Sequence, residues 1–295
     1  MTDLLKDKVA LITGSGKGIG RAVAIAMAKE GARVIVNDVV PERSEAVTQE
    51  IINSGGRAIS INGDISQFEA ARQITEAAVS KFNRLDILVN NAGICIPAPI
   101  WDLSEENWDR TVDISLKGTF NCTRHASRIM KEQKWGRILS NTTIAFIYGS
   151  SGDCNYVAAK AGIVGFSRTV ANDLKPFGVT CNVYRPYTQS EMMPKGGSQA
   201  GSHWEAAYKA GIINDEQAKD LMVDIPKIDT VPPLLVYLCT DEASNITGQV
   251  FDIRGDAIGI YSPMIKIKTV QRNTKEKGLW TYSELKNAIP ELLKK

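Results

Sequence analysis

Tyr156 and Lys160 stand four residues apart in a helix-like stretch, so their side chains share one face. A free phenol, with a pKa of about 10, is a poor base at neutral pH. A neighbouring ammonium stabilises the phenolate, so the spacing predicts a lowered Tyr156 pKa. A pair of this kind can exchange a proton with a hydroxyl or carbonyl group. Standing alone, the two residues would read as a packed aromatic and a surface lysine. The wider pattern decides between the two readings.

The wider pattern begins at residues 13–20, Thr-Gly-Ser-Gly-Lys-Gly-Ile-Gly, which follow a strand-like run and open a helix. Gly14, Gly18 and Gly20 let the backbone turn tightly and approach a pyrophosphate, and the helix start offers free N–H groups. Gly16, Lys17 and Ile19 complete the loop. Asp38 ends the second strand-like run, 18 residues past Gly20. A carboxylate there accepts hydrogen bonds from the adenosine ribose and repels a 2′-phosphate, which selects NAD over NADP. Lys17 argues for the phosphate. Asp38 outweighs it, because burying two anions together costs more than one exposed lysine returns.

Short apolar, β-branched runs alternate with helical patterns along the chain. The strands are expected at Val9–Thr13, Arg33–Asn37, Ala58–Ile61, Ile87–Asn90, Arg137–Ser140, Val179–Val183 and Val250–Ile253. Helices are expected at Ile19–Glu30, Glu42–Asn53, Phe68–Phe82, Glu105–Lys131, Tyr156–Leu174 and Pro232–Cys239. This alternation implies an α/β fold: one doubly wound parallel sheet with helices on both faces. The regular domain spans 1–260. It is interrupted by a lid-like insertion at about 187–230, in which Asp215–Val223 reads as a short helix and Trp204 and Tyr208 are candidate pocket or packing residues. A C-terminal extension follows at 261–295. Its possible capping box, Thr281 to Glu284, opens a helix that Pro290 is expected to interrupt.

Composition narrows the class. A net charge of +2 over 295 residues gives no reason to expect a nucleic-acid partner. The charge is uneven: residues 262–295 hold eight Lys/Arg against three Glu. That basic tail is either a solvated face or a contact for an acidic substrate or partner. The five cysteines, 95, 122, 154, 181 and 239, form no C-x-x-C, which argues against disulfides and zinc and fits a cytoplasmic setting. His125 and His203 have no ligand-like neighbours, so no metal is expected. No apolar run approaches the roughly 20 residues of a membrane span. Asp3, Lys6, Asp7 and Lys8 leave no signal peptide at the start.

Three motifs in order resemble the short-chain dehydrogenase/reductase family: Thr13-Gly14-x3-Gly18-Ile19-Gly20, Asn90-Asn91-Ala92-Gly93 and Tyr156-x3-Lys160. The resemblance covers residues 6–260. It implies a Rossmann fold and an NAD-dependent oxidoreductase acting on a secondary alcohol or ketone, with hydride carried by the nicotinamide. It further implies that Asp64 and Ile65 sit against the adenine and that Asn91, Ala92 and Gly93 line the cofactor. Pro186 would precede the nicotinamide loop. Lys160 would hold both the phenolate and the nicotinamide ribose. The family's hydroxyl donor, 13 positions before the tyrosine, falls on Thr143, within Asn141-Thr142-Thr143.

Two positions depart from that pattern. The family's helix-bending, water-holding asparagine is Ser115 here, and the usual Pro-Gly is Pro186-Tyr187, whose bulky tyrosine removes backbone freedom beside the nicotinamide. These departures keep a second reading open: a cofactor-binding, catalytically weakened subunit supporting an active homologue in a hetero-oligomer. The resemblance also implies a homodimer or homotetramer paired through residues 105–131 and 156–174, with Ala158, Ala159, Ala161, Gly162 and Gly165 permitting close contact. The expected substrate is a small hydroxy or oxo compound. The phrase Asn245–Phe251 and the basic tail resemble members acting on 3-hydroxyacyl-CoA thioesters.

Overall fold

The computed structural model describes residues 3–188, 208, 215, 225–263, 269, 271, 276 and 281–293. Two compact units are present, Met1–Tyr261 and Ser262–Lys295.

In the first unit one sheet contains β1 (Val9–Ile12), β2 (Arg33–Asp38), β3 (Arg57–Asn62), β4 (Ile87–Asn90), β5 (Gly136–Asn141), β6 (Val179–Tyr187), β7 (Val250–Arg254) and β8 (Ala257–Ile260). Their order is β3-β2-β1-β4-β5-β6-β7-β8. All neighbours are parallel except β8, which pairs antiparallel with β7. The doubly wound parallel sheet expected from the sequence is present, and β8, a strand that was not expected, adds its one antiparallel pairing. Arg254 pairs with Ala257, so Gly255-Asp256 forms a two-residue hairpin loop, with Gly255 at φ +55°.

The central strands are buried on both faces and carry β-branched and leucine side chains. On one face α1 (Gly18–Lys29) and α8 (Pro232–Leu238) cover a core that includes Ile12, Val36, Val89, Leu139 and Tyr184. On the other, α3 (Phe68–Phe82), α5 (Gly118–Gln133) and α7 (Cys154–Leu174) cover Leu11, Ile35, Leu88, Ile138 and Cys181. Adjacent strand residues thus point to opposite layers. The α3 stripe Ala71, Ile74, Thr75 and Ala78 follows the 3.6-residue period. The first unit also holds α2 (Pro41–Asn53), α4 (Glu105–Val112) and α6 (Ala145–Tyr148).

The single helix expected over Glu105–Lys131 is divided. Between α4 and α5 the chain makes a π-helical turn at Asp113–Lys117. Each such turn admits one extra residue and swings the following helix. The bend is present with Ser115 at its centre. Leu116 of the turn packs against Gly162 of α7, where a Cβ would lie 2.9 Å from it. Gly162 is half-buried there and Ala159 fully buried, while Ala158 and Gly165 are exposed.

In the second unit α9 (Tyr282–Leu293) opens on the expected box. The Thr281 N–H donates to Glu284 Oε2 at 2.9 Å, and the Glu284 N–H to Thr281 Oγ1 at 3.4 Å. Pro290 does not interrupt this helix but lies within it, three residues from its end. A last turn loses only one backbone bond to a proline, and Pro290 is exposed. Most of the lid-like insertion, including Trp204 and nearly all of Asp215–Val223, lies outside the described residues. Tyr208 is exposed, its hydroxyl donating to Asp215 Oδ1 at 2.7 Å. No helix among the described residues is long and apolar enough to cross a membrane. Among them no group of three or more His, Cys, Asp or Glu could hold a metal ion.

Candidate active site

The strand order reverses direction between β1 and β4, and a cleft of about 770 Å³ opens at the carboxyl ends of the strands there. Gly14 and Gly18, at the β1–α1 turn, have φ of +60° and +57°. A Cβ on Gly20 would lie 2.4 Å from the Gly14 carbonyl oxygen and 2.5 Å from Asn91 Nδ2, so the loop closes only on glycine. Asn91 Nδ2 donates to the Thr13 and Gly14 carbonyls, each at 3.0 Å. Thr13 Oγ1 accepts the Asn91 and Ala92 N–H groups, each at 3.1 Å. These bonds lock the end of β4 to the glycine loop.

Gly14, Gly18, Ile19, Asn91, Ala92 and Gly93 form the near wall of the cleft; Lys17, Asp38, Asp64 and Ile65 form its far end. Asp38 is almost fully buried: its Oδ2 accepts the Gly16 N–H at 3.1 Å and its Oδ1 the Val40 N–H at 3.0 Å. Asp64 Oδ1 accepts the Ser66 N–H at 2.9 Å, and the Ile65 carbonyl accepts from Asn121 Nδ2 at 2.8 Å. The sequence reading missed Arg43, which lines the far end beside Asp38, and Asn141, at the near end. It missed the α4 face as well: Glu106, Asp109, Arg110 and Asp113 line the cleft at helical spacing. The signal for Arg43 was its place five residues past Asp38, in the first turn of a helix that starts at the cleft.

Tyr156 and Lys160 lie in the first turns of α7 and are not part of the cleft lining. Asn155, fully buried, fixes that helix start: its Nδ2 donates to the Ile96 carbonyl at 3.1 Å and to Thr111 Oγ1 at 3.1 Å. Lys160 is 1% exposed, and its Nζ donates to Asn141 Oδ1 at 2.9 Å and to the Asn141 carbonyl at 3.2 Å. Thr142 Oγ1 donates to the Lys160 carbonyl at 2.9 Å. Lys160 Nζ stands 5.6 Å from the centre of the Tyr156 ring.

Burial dominates the protonation of this pair. It pushes the Lys160 ammonium down to about 7, and it pushes the Tyr156 phenol up, with Cys95 and Asp153 adding to the rise. That direction is opposite to the one expected from the four-residue spacing. Both charged forms lose water, and a lysine titrating near 7 holds only part of a charge at neutral pH.

Ser115 is fully buried in the π turn, and its Oγ accepts the Ile94 N–H at 3.4 Å. A Cβ built on Gly93 would lie 3.2 Å from Ser115 Oγ and 3.4 Å from Lys160 Nζ, so the two groups flank Gly93. Thr143 is partly exposed, and its Oγ1 accepts the Ala145 N–H at 3.4 Å as α6 begins. Tyr187 does not stand in a loop beside the cleft. It is the last residue of β6, pairs with Arg254 and lies almost fully buried, 4.9 Å from the Arg185 guanidinium. The strand carries its ring into the sheet layer, and Arg185 is in turn held by Asp252 at 2.7 Å.

A glycine-rich β1–α1 turn, a carboxylate at the end of β2 and a Tyr-x3-Lys pair on α7 agree with what comparison with known proteins finds. The family model described as short chain dehydrogenase matches residues 8–200. The 3-oxoacyl-[acyl-carrier-protein] reductase of Synechocystis sp. is 34% identical over 86% of this chain and 98% of its own length. The corresponding reductase of Staphylococcus aureus is 32% identical over 84% of this chain and 97% of its own. Among solved structures, a short chain dehydrogenase from Mycobacterium avium superposes with a TM-score of 0.82 at 30% identity, covering 98% of this chain and 96% of that one. The chain belongs to the short-chain dehydrogenase family. It is an oxidoreductase acting on a CH–OH or ketone group, and its family binds a nicotinamide cofactor.

Proposed function

We propose that the chain is an NAD-dependent oxidoreductase that interconverts a secondary alcohol and a ketone, with a 3-hydroxyacyl thioester as its substrate class. The observation that carries this reading is the position of Lys160 Nζ: within 3.4 Å of a Cβ built on Gly93, which lines the cofactor cleft, and 5.6 Å from the Tyr156 ring. The names of the similar reductases support the acyl substrate.

The residues present fit a dinucleotide. Gly14, Gly18 and the start of α1 would hold its pyrophosphate, Asp38 the adenosine ribose, and Asp64 and Ile65 the adenine edge. Asn91, Ala92, Gly93 and Lys160 would hold the nicotinamide half. When bound, the nicotinamide supplies or accepts the hydride. NAD is favoured over NADP because a 2′-phosphate would be set against the buried Asp38 carboxylate. Lys17 and Arg43 lie at the same end but are exposed, and water and salt screen them.

In this reading Tyr156 moves the proton at the substrate oxygen, Lys160 stabilises the phenolate, and Thr143 donates to the same oxygen. Ser115 keeps the turn that places α5 and supports the segment after β4. Tyr156→Phe removes the proton-transfer hydroxyl and leaves the cofactor contacts in place. Turnover of a 3-hydroxyacyl-CoA should fall by about 10²–10⁴-fold while NAD affinity by calorimetry is kept. Undiminished turnover would sink the assignment. The half-buried Tyr156, whose phenol is pushed up by its removal from water, also supports the second reading, a catalytically weakened subunit. Wild-type chain that binds NAD yet turns over neither a hydroxyacyl-CoA nor a simple secondary alcohol, alone, would favour it.

A further inference from the structure

Asp153 heads α7 as its N-cap, the position at which an aspartate ordinarily accepts N–H groups of the first helical turn. Here its carboxylate makes no such bond. Its Oδ2 accepts the Ser150 hydroxyl at 2.6 Å, and its Oδ1 accepts the Cys95 thiol at 3.4 Å. Burial and the carboxylate together push that thiol up to about 12, so it keeps its proton and donates. The backbone around the carboxylate is laced together. The Ala98 N–H donates to the Gly152 carbonyl at 2.8 Å, and Asn155 Nδ2 to the Ile96 carbonyl at 3.1 Å. The segment after β4 and the start of α7 therefore hold one carboxylate between them, turned away from the helix it heads.

Tyr156 stands within the field of that carboxylate: after burial, Cys95 and Asp153 are what raise its phenol. Lys160 and the positive end of α7 would both draw an anion toward Tyr156. A fixed carboxylate at the same place opposes them. We propose that Asp153 determines specificity: it excludes a substrate that carries a negative charge beside the reacting carbon, so the site takes neutral acyl esters and thioesters and rejects free hydroxy and oxo acids. The inference rests on the catalytic reading of Tyr156 and narrows its substrate class. In a 3-oxoacyl group one methylene separates the ketone carbon from the carboxyl carbon. A free acid therefore brings its own carboxylate to the neighbourhood of Tyr156 together with the ketone, where Asp153 repels it in a site partly closed to water. A thioester at the same carbon is neutral and meets no such repulsion. Discrimination of this kind works by an unfavourable contact with the wrong substrate and needs no added contact with the right one.

The test compares two ligands of the same acyl group by calorimetry on the full chain with NAD present, a mixture in which the ketone has no hydride to accept. The ligands are acetoacetate, an anion, and its neutral thioester with N-acetylcysteamine. Wild type should bind the thioester at least about tenfold more tightly than acetoacetate. Asp153→Asn keeps the shape and the acceptor for Cys95 and Ser150 while removing the charge. It should tighten acetoacetate by about tenfold or more and leave the thioester within about threefold. Asp153→Ser serves if the asparagine variant does not fold. An acetoacetate affinity that the substitution leaves unchanged overturns the proposal. So does an equal loss of both ligands, which is what a merely structural Asp153 would give, and so does a wild type that does not bind the thioester. If Tyr156→Phe keeps full turnover, the catalytic reading is the one that fails, and the ratio of the two affinities still decides whether Asp153 excludes the anion.

Discussion

Replacing Lys160 by Met removes a buried ammonium, and the effect on folding depends on pH with a definite sign. The ordinary lysine pKa of 10.5 falls to about 7 in the folded chain, because burial penalises the charged form. Below about pH 7 both folded and unfolded chains hold the proton, and the fold carries the full cost of the buried charge. Between about 7 and 10.5 the unfolded chain holds a proton that the folded chain has released. Stability there rises with pH, by at most about 1.4 kcal/mol per pH unit. Integrated from about pH 7 to about pH 9, this one group contributes roughly 2 kcal/mol. Methionine has a similar length and no charge, so it cancels the term while filling the space. Urea unfolding of wild type and Lys160→Met, without dinucleotide and at constant ionic strength, isolates the lysine, because every other titrating group is common to both. The wild-type free energy minus that of the variant should grow by roughly 2 kcal/mol across that range. Parallel curves would refute the buried-ammonium reasoning. A difference that shrinks with rising pH would mean that Lys160 gains an anionic partner in the folded chain.

Other outcomes follow from the same structure. NAD should bind at least about tenfold more tightly than NADP, a difference of about 1.4 kcal/mol, and Asp38→Ser should narrow it. Equal affinities in wild type by calorimetry would make Lys17 and Arg43 phosphate ligands. Phe68 and Phe120 are more than two-fifths exposed and stack at 6.3 Å, and Phe166 meets Phe120 at the same distance. With α5 and α7 as the pairing helices expected from the sequence, this exposed aromatic strip falls at the interface, so Phe120→Glu should convert an oligomer to monomer in light scattering; an unchanged mass places the contact elsewhere. Thr143→Ser keeps the hydroxyl and removes a methyl, and kcat should stay within about threefold of wild type. A loss as large as that of Tyr156→Phe would show that the methyl positions the substrate.

The glycine turn and the carboxylate that line the cleft were legible because their determinants are local. Gly14, Gly18 and Gly20 are required by the backbone within one turn, and Asp38 follows at a fixed offset through one βαβ unit. The sheet was legible for a related reason: strands buried on both faces read as continuous apolar runs. β8 was missed although Gly255-Asp256 carries a hairpin signal, since Ala-Ile-Gly-Ile is too short to show a period. The division of Glu105–Lys131 was invisible because a π turn adds one residue without breaking the helical pattern.

What the sequence could not convey is burial, and burial decides the chemistry. The four-residue spacing puts Tyr156 and Lys160 on one face and says nothing of how much water reaches either. Adjacency alone lowers a phenol's pKa; adjacency inside a dry site pulls the lysine down as well and weakens its hold on the phenolate. The same gap explains Asn141 and Tyr187. Asn141 meets Lys160 only through the fold, 19 positions away in sequence, and no local pattern marks it. Tyr187 was read as a loop residue from its place in the family pattern, but strand register extends β6 through it and pairs it with Arg254. The two departures from the family pattern thus have different consequences. Tyr187 is buried at the end of β6 and is not among the residues that line the cleft. Ser115 keeps a hydroxyl at the centre of the π turn, where it accepts the Ile94 N–H.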